Sequence, residues 1–297
     1  MDNSKKEISN AVNAICFGEV LIDNFPDERR IGGAPLNVCY HLHKNGICSQ
    51  IISRIGEDAL GEELLGGISE LGLDIVYIDR TSQYPTSTVE VQMGDHGHVS
   101  YDIVEPVAWD SLEYDGDVAS AISTATAFIF GSLAVRNKQT RDTLFRYLDY
   151  AEWSVFDVNL RPPFYSKELV LTLMDQCQTL KVNDEELEIL AGWLGKAGDS
   201  RDEVFRSLFD HYPKIQEILL TMGEKGACYK SREQEICLPS RPIKVKDTVG
   251  SGDSFLAAFL AKKMLGFGVR EALEHAITIS AFVATQHGAC PDYINFK

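Results

Sequence analysis

Four residues, Gly250-Ser251-Gly252-Asp253, separate the segment KVKDTV from the apolar run SFLAAFLAKKML. The first amides of a helix have no intrahelical acceptor, and the helix dipole adds positive potential there. Glycine lets an anion approach that backbone closely. Gly250, Ser251 and Gly252 can therefore point amides at one oxyanion. Asp253 would repel that anion unless it has another task. One task fits: taking the proton of a hydroxyl that attacks a phosphorus held by the amides. The competing reading is a plain helix N-cap, a common use of Asp, although a cap needs no pair of glycines.

Four further groups carry polar residues to element ends. In GEVLID and GGAPLNV, Asp23 closes the first strand, while Gly32 and Gly33 precede a helix with Asn37 one turn in. A carboxylate and an amide at the C-terminal ends of parallel strands suit a polyhydroxylated ligand, and solvated turn residues are the alternative. In KVNDEE, Asn183 and Glu186 are three apart at a helix start and share a face. They can organise the water shell of Mg²⁺ or simply cap the helix. Thr221, Gly223 and Gly226 in LLTMGEKGA form a loop able to border a nucleotide. In FDVNLRP, Asp157, Asn159 and Arg161 alternate on one strand end, and period 2 sends all three to one side.

These groups need elements to hold them. The run from Ala14 to Ile22 reads as one buried strand, and the segment from Gly33 reads as a helix with Pro35 in its first turn. SQIISRIG and ALGEELLGGISELG repeat the alternation. TSTVEVQMGDHGHVSYDIV reads as an antiparallel hairpin interrupting it. TATAFIFGSL, WSVFDVNL, QTLKVN and IQEILLTMG continue as strands, with helices at RDTLFRYLDYA, DEELEILAGWL, Ser254–Leu265 and REALEHAITISAFVATQHG. The start of KVKDTV reads as a strand.

The 297 residues, 44% hydrophobic and 24% charged, fit one globular domain with a sizeable core. The net charge of −16 and the lack of any large Lys/Arg cluster argue against a nucleic-acid partner. No run approaches the roughly 20 apolar residues of a membrane span, and no signal peptide is evident, so a cytoplasmic protein is expected. Seven scattered cysteines without a CxxC pair read as mostly buried, reduced thiols. Neither His41/His43 nor His96/His98 reads as a metal site. No G-x-x-x-x-G-K-[ST] occurs, so any phosphate chemistry uses another architecture.

DTVGSGDSF resembles the C-terminal signature of the ribokinase-like (phosphofructokinase-B type) carbohydrate kinases, and GGAPLNV resembles their N-terminal one. GEVLID, GGAPLNV, RIGEDALGEELL, DVNLRP, NDEE, TMGEKGA and DTVGSGDSF follow the family's order along nearly the whole chain. The resemblance implies an α/β fold, a doubly wound, mainly parallel sheet flanked by helices. It implies one domain over 1–297, with a small β-sheet lid from parts of about 19–34 and 81–108. It implies transfer of the γ-phosphoryl group of ATP to a sugar hydroxyl with Mg²⁺. Asp253 would be the base and Gly250, Ser251 and Gly252 the anion hole. Asp23, Gly32, Gly33, Asn37 and Arg161 would bind sugar. Asn183 and Glu186 would organise Mg²⁺, and Thr221, Gly223 and Gly226 would line the nucleotide. By the same analogy Asp247, with carbonyls of Val249, Val283, Gln286 and Gly288, would hold K⁺.

GEVLID, GGAPLNV and EPVAWD together look most like bacterial fructokinases, which implies D-fructose phosphorylated at its 6-hydroxyl. Ribose, 2-keto-3-deoxygluconate and nucleosides stay open as acceptors, as does a non-catalytic sugar-sensing paralogue. Tyr101 and Phe164 are candidate sugar contacts, and the lid is a candidate homodimer surface. Ser251 departs from the Ala of many relatives without changing its backbone amide.

Overall fold

Strand β1 (Asn13–Phe17) sends Ala14 and Cys16 into one apolar core and Ile15 and Phe17 into another. A strand apolar on both sides must be covered on both faces, and the fold does this with two helical layers. A computed structural model describes residues 12–25, 28–93 and 99–294. Beside β1 run β4 (Cys48–Gly56) and β5 (Ile78–Thr81) in one direction. In the other lie β8 (Ala127–Gly131), β9 (Ser154–Asp157), β10 (Thr179–Asn183) and β11 (Glu217–Thr221). All of these pair in parallel. At the β11 edge, β12 (Ala227–Ser231) and β13 (Glu235–Leu238) add antiparallel strands, giving nine among the described residues. Chain order reverses between β1 and β8, and ligand crevices of doubly wound sheets form at such a switch point.

Helices α1 (Ala34–Lys44), α2 (Ala59–Glu70), α8 (Ser251–Met264) and α9 (Val269–Ala284) pack on one face of the sheet. Helices α3 (Gly116–Thr124), α4 (Lys138–Leu148), α5 (Lys167–Met174), α6 (Asp184–Trp193) and α7 (Arg201–His211) pack on the other. Helix α8 is buried continuously from Ser254 to Ala261, as expected of a helix apolar all round. None of the described helices is long and apolar enough to cross a membrane.

A separate sheet combines β2 (Leu21–Asn24), β3 (Arg29–Gly32), β6 (Thr88–Met93) and β7 (Val99–Ile103), in the order β3-β2-β6-β7. Here the first expectation is corrected. The run from Ala14 to Ile22 is not one strand, because at Gly18 (φ 146°) the chain leaves β1 and re-enters the second sheet as β2. A Cβ at Gly18 would lie 2.7 Å from Pro35 Cγ, so the break and the entry to α1 share one tight space. Asp23 therefore belongs to the small sheet, where β2 pairs in parallel with β6, and not to the end of a strand of the nine-stranded sheet.

Three other readings change. β9 stops at Asp157, and Asn159 takes φ 38°, so period 2 does not carry through to Arg161. KVKD forms no strand: residues 239–249 are irregular and mostly exposed. Cys228 and Cys237 are cross-strand partners on β12 and β13 and form a disulfide, while Cys48 is exposed. Only Cys16, Cys39 and Cys177 are fully buried thiols. Strand pairing brought the two cysteines together from nine residues apart, which a search for CxxC does not detect. The His96/His98 pair lies outside the described residues.

Candidate active site

The N-terminus of α8 is left open by its own sequence. Its N-cap is Gly250 in the left-handed region (φ 75°), with no side-chain cap. A Cβ there would sit 2.6 Å from Ala289 Cα, so both the conformation and the space demand glycine. Ser251 N–H donates to Thr248 O at 3.2 Å and Ser254 N–H to Gly250 O at 2.8 Å. The amides of Gly250, Gly252 and Asp253 are left without an acceptor among the described residues. This corrects the expected trio: the Ser251 amide closes the turn, and that of Asp253 takes its place. The Ser251 hydroxyl turns away to Ser280 Oγ on α9, 2.8 Å distant.

Asp253 lies in the first turn of α8, beside the first turn of α1. Its Oδ2 accepts Asn37 Nδ2–H at 2.8 Å, while Asn37 Oδ1 accepts the Cys290 thiol at 3.4 Å. Desolvation, helped by the nearby Asp157 charge, pushes Asp253 up to about 6 against the opposing pull of Asn37, Lys181 and Arg161. A carboxylate with that value is ionised at neutral pH and still basic enough to take a proton.

Of the other predicted residues, Asn37 and Arg161 act on Asp253 directly, and Arg161 links it to Asp23. Asp23 is pushed up to about 6 by desolvation, with Arg30 and Arg161 opposing. Its Oδ2 lies 2.5 Å from where a Gly32 Cβ would be, and Gly33 (φ 117°) packs its Cα against Glu19 O. The two glycines thus let the β3–α1 turn close over Asp23 and the bend after β1. Arg161 is exposed, and its charge acts on Glu19, Asp23 and Asp253 although its strand has ended. Phe164 packs against the root of the small sheet and under the Arg136 guanidinium, 4.6 Å away, rather than standing free.

Asn183 and Glu186 form a reciprocal cap on α6. Glu186 N–H donates to Asn183 Oδ1 at 2.8 Å, and Asn183 N–H to Glu186 Oε2 at 2.9 Å. Glu186 Oε1 also accepts Leu160 N–H at 2.9 Å. Desolvation raises the Glu186 carboxyl above its ordinary range. Thr221 stands beside Asn183 in register, and the loop after it turns through Gly223 (φ 54°) and Gly226 (φ 105°). At Gly226 a Cβ would meet Leu238 O at 2.0 Å. Asp247 accepts Val249 N–H at 3.0 Å and Gly288 N–H at 3.1 Å, and Arg30 approaches at 3.5 Å. Val283 O accepts Gln286 N–H at 2.8 Å in the turn after α9.

Two residues not singled out from the sequence belong here. Glu19 is buried, its Oε2 has no hydrogen-bond partner, and desolvation pushes it up to about 7. Lys181 is buried on β10 and pairs with Asp157 Oδ1 at 2.9 Å. A glutamate beside Val20 in GEVLI and a lysine between Leu180 and Val182 in TLKVN are the signal that could have marked both.

An open helix N-terminus with a buried base, and polar residues at the ends of the adjacent parallel strands β9, β10 and β11, suit a phosphotransferase acting on a hydroxyl acceptor. The model of the pfkB family carbohydrate kinases matches residues 8–294, and the chain belongs to that family. It is 26% identical to a probable fructokinase-2 of Arabidopsis thaliana over 93% of this chain and 91% of that one. It is equally 26% identical to a fructokinase-2 of Solanum lycopersicum, over 93% and 92%. Among solved structures, a Xylella fastidiosa fructokinase with bound ATP superimposes with TM-score 0.82 at 23% identity, covering 94% of both chains. A Vibrio cholerae fructokinase with fructose, ADP and calcium ion gives 0.80 at 22% identity, covering 95% of both.

Proposed function

We propose that this enzyme transfers the γ-phosphoryl group of ATP to the 6-hydroxyl of D-fructose. The observation that carries the chemistry is the Asp253 carboxylate, held by Asn37 beside the uncapped amides of α8. The fructokinase names of its relatives in two plant species support the choice of sugar. Asp23, with Asn37 and the Gly32–Gly33 turn, would hold sugar hydroxyls against Asp253. The acceptor oxygen attacks the γ-phosphorus as Asp253 takes its proton, the bond to the β–γ bridging oxygen breaks, and ADP leaves. The free amides of Gly250, Gly252 and Asp253 stabilise the charge gathering on the transferred group. Arg161, whose charge acts on both Asp23 and Asp253, would bind the sugar with them. Thr221, Gly223 and Gly226 would border the nucleotide.

Mg²⁺ fits Asn183 and Glu186 through water. Both Glu186 oxygens are already engaged by backbone N–H groups, so the pair would orient the ion's hydration shell, and the ion would supply charge neutralisation at the phosphates. For K⁺, Asp247 and the 283–288 turn are adjacent, with Arg30 already presenting a positive charge to the same carboxylate. The small sheet is our candidate for a lid over the sugar and for a homodimer surface, which light scattering tests. A cytoplasmic setting suits an ATP-consuming activity.

ADP release should be measured with Mg²⁺-ATP against fructose, ribose, 2-keto-3-deoxygluconate and nucleosides, with and without K⁺, using Asp253→Asn as the blank. Turnover on fructose with a blank at least about 100-fold slower is expected. Because the base must be ionised, kcat/KM should fall about tenfold per pH unit below about 6, the value of Asp253. Turnover on another member replaces the sugar and keeps the mechanism. Sugar binding without turnover would favour a sensor.

A further inference from the structure

Lys181 sits where a lysine is costly. Its strand neighbours Leu180 and Val182 are fully buried, and Lys181 itself is 5% exposed. Its Nζ reaches toward the first turn of α8, ending 3.2 Å from where a Cβ on Gly252 would stand. A side chain at position 252 would thus meet the ammonium, whereas glycine leaves the space between ammonium and anion loop open. Gly252 also carries one of the uncapped amides.

One partner accounts for only part of this ammonium. Nζ lies 2.9 Å from Asp157 Oδ1 on the neighbouring strand, where Lys181 and Asp157 are register partners. An ammonium has three donors, and no second partner is present among the described residues. Burial opposes its charge, and the carboxylates of Asp157, Glu186 and Asp253 around it offset that cost. As a structural device the pair is poor, since apolar residues of similar volume hold a strand register equally well or better. As an electrostatic device it is well placed. Three carboxylates surround a site that must accept a polyphosphate, and a buried cation under the anion loop offsets them.

We infer that Lys181 is a catalytic residue, contacting the γ-phosphoryl oxygens from beneath the Gly252 amide while Asp157 holds it in place. The inference rests on the phosphoryl-transfer reading above. Lys181 keeps its proton throughout, and the acceptor's proton goes to Asp253. Its attraction grows as charge moves onto the equatorial and bridging oxygens, so it favours the transition state over the bound substrates.

The test compares Lys181→Met with the double variant Lys181→Met/Asp157→Leu, reading Tm, kcat, and ATP and ADP affinity by calorimetry. Lys181→Met should lower kcat at least about 100-fold, the cost of one preorganised donor, and weaken ATP much more than ADP. Loss of stability is also expected, because Asp157 is left buried and unpaired. The double variant removes both charges and should recover Tm without recovering kcat. Recovery of kcat to within threefold of the wild type, or equal weakening of ATP and ADP, would overturn the proposal and leave a structural ion pair. Should the wild type turn over no acceptor, the sugar-kinase reading fails by itself. The ATP-against-ADP comparison then still decides whether Lys181 meets the terminal phosphate.

Discussion

Helices α6 and α8 both begin against β10 and treat their first amides in opposite ways. At α6, Asn183 and Glu186 satisfy each other's backbone N–H groups, and the terminus is closed. At α8 the cap is a left-handed glycine, and three amides stay open. Both starts are rich in polar residues, and both carry acids in the first turn. The difference is which atoms face the amides. An oxygen at the cap position consumes the anion site, whereas a glycine preserves it. The same pattern of polar residues at a helix start thus goes with a closed terminus in one case and an open one in the other.

The strongest way to break the contrast is to close α8. Gly250→Ala adds a Cβ at φ 75° and 2.6 Å from the Ala289 backbone. The loop must then shift, and the open amides lose their common aim. We expect kcat/KM for ATP to fall at least about 100-fold, with about 2 kcal/mol of stability lost to the left-handed strain and the clash. A variant equally unstable but fully active would show that the amides hold no anion. At α6 the balance should reverse. Asn183→Ala removes a cap worth about 1 kcal/mol, and Asn183→Asp, an equally good cap, should restore that stability. If Asn183 also orients water around Mg²⁺, the alanine variant needs about tenfold more Mg²⁺ for half-maximal rate. Stability loss with no change in the Mg²⁺ titration would reduce Asn183 to a cap.

The contrast also explains what could be read in advance. Glycines before an apolar helix and an S/N-x-x-E pattern are local, so the sequence carried both termini and the alternation that stacks their strands. The destination of Asp23 was not local. Leu21–Asn24 is as strand-like as Asn13–Phe17, and only Gly18, pressed against Pro35 by the fold, sends it to a second sheet. Arg161 reaches the site for a different reason than period 2, because Asn159 ends the regular geometry first. Lys181 and Glu19 were visible as letters but not as anomalies until the covering of both faces of β10, and of the bend between β1 and β2, was known. The Cys228–Cys237 bond depends on a register that no spacing rule contains.

The finest test concerns Ser251, where side chain and backbone have separate partners. The hydroxyl meets Ser280 Oγ at 2.8 Å, and the amide meets Thr248 O at 3.2 Å. Neither faces the open amides. Ser251→Ala therefore removes one hydrogen bond between α8 and α9, worth about 1 kcal/mol, and leaves the turn that aims Gly250, Gly252 and Asp253. Thermal unfolding should register the loss, while kcat and the pH limb near 6 set by Asp253 should stay within about twofold, since no transition-state contact is touched. A large fall in kcat would mean that the α8–α9 contact, not glycine alone, holds the terminus open, and the difference from α6 would then lie in packing as much as in capping.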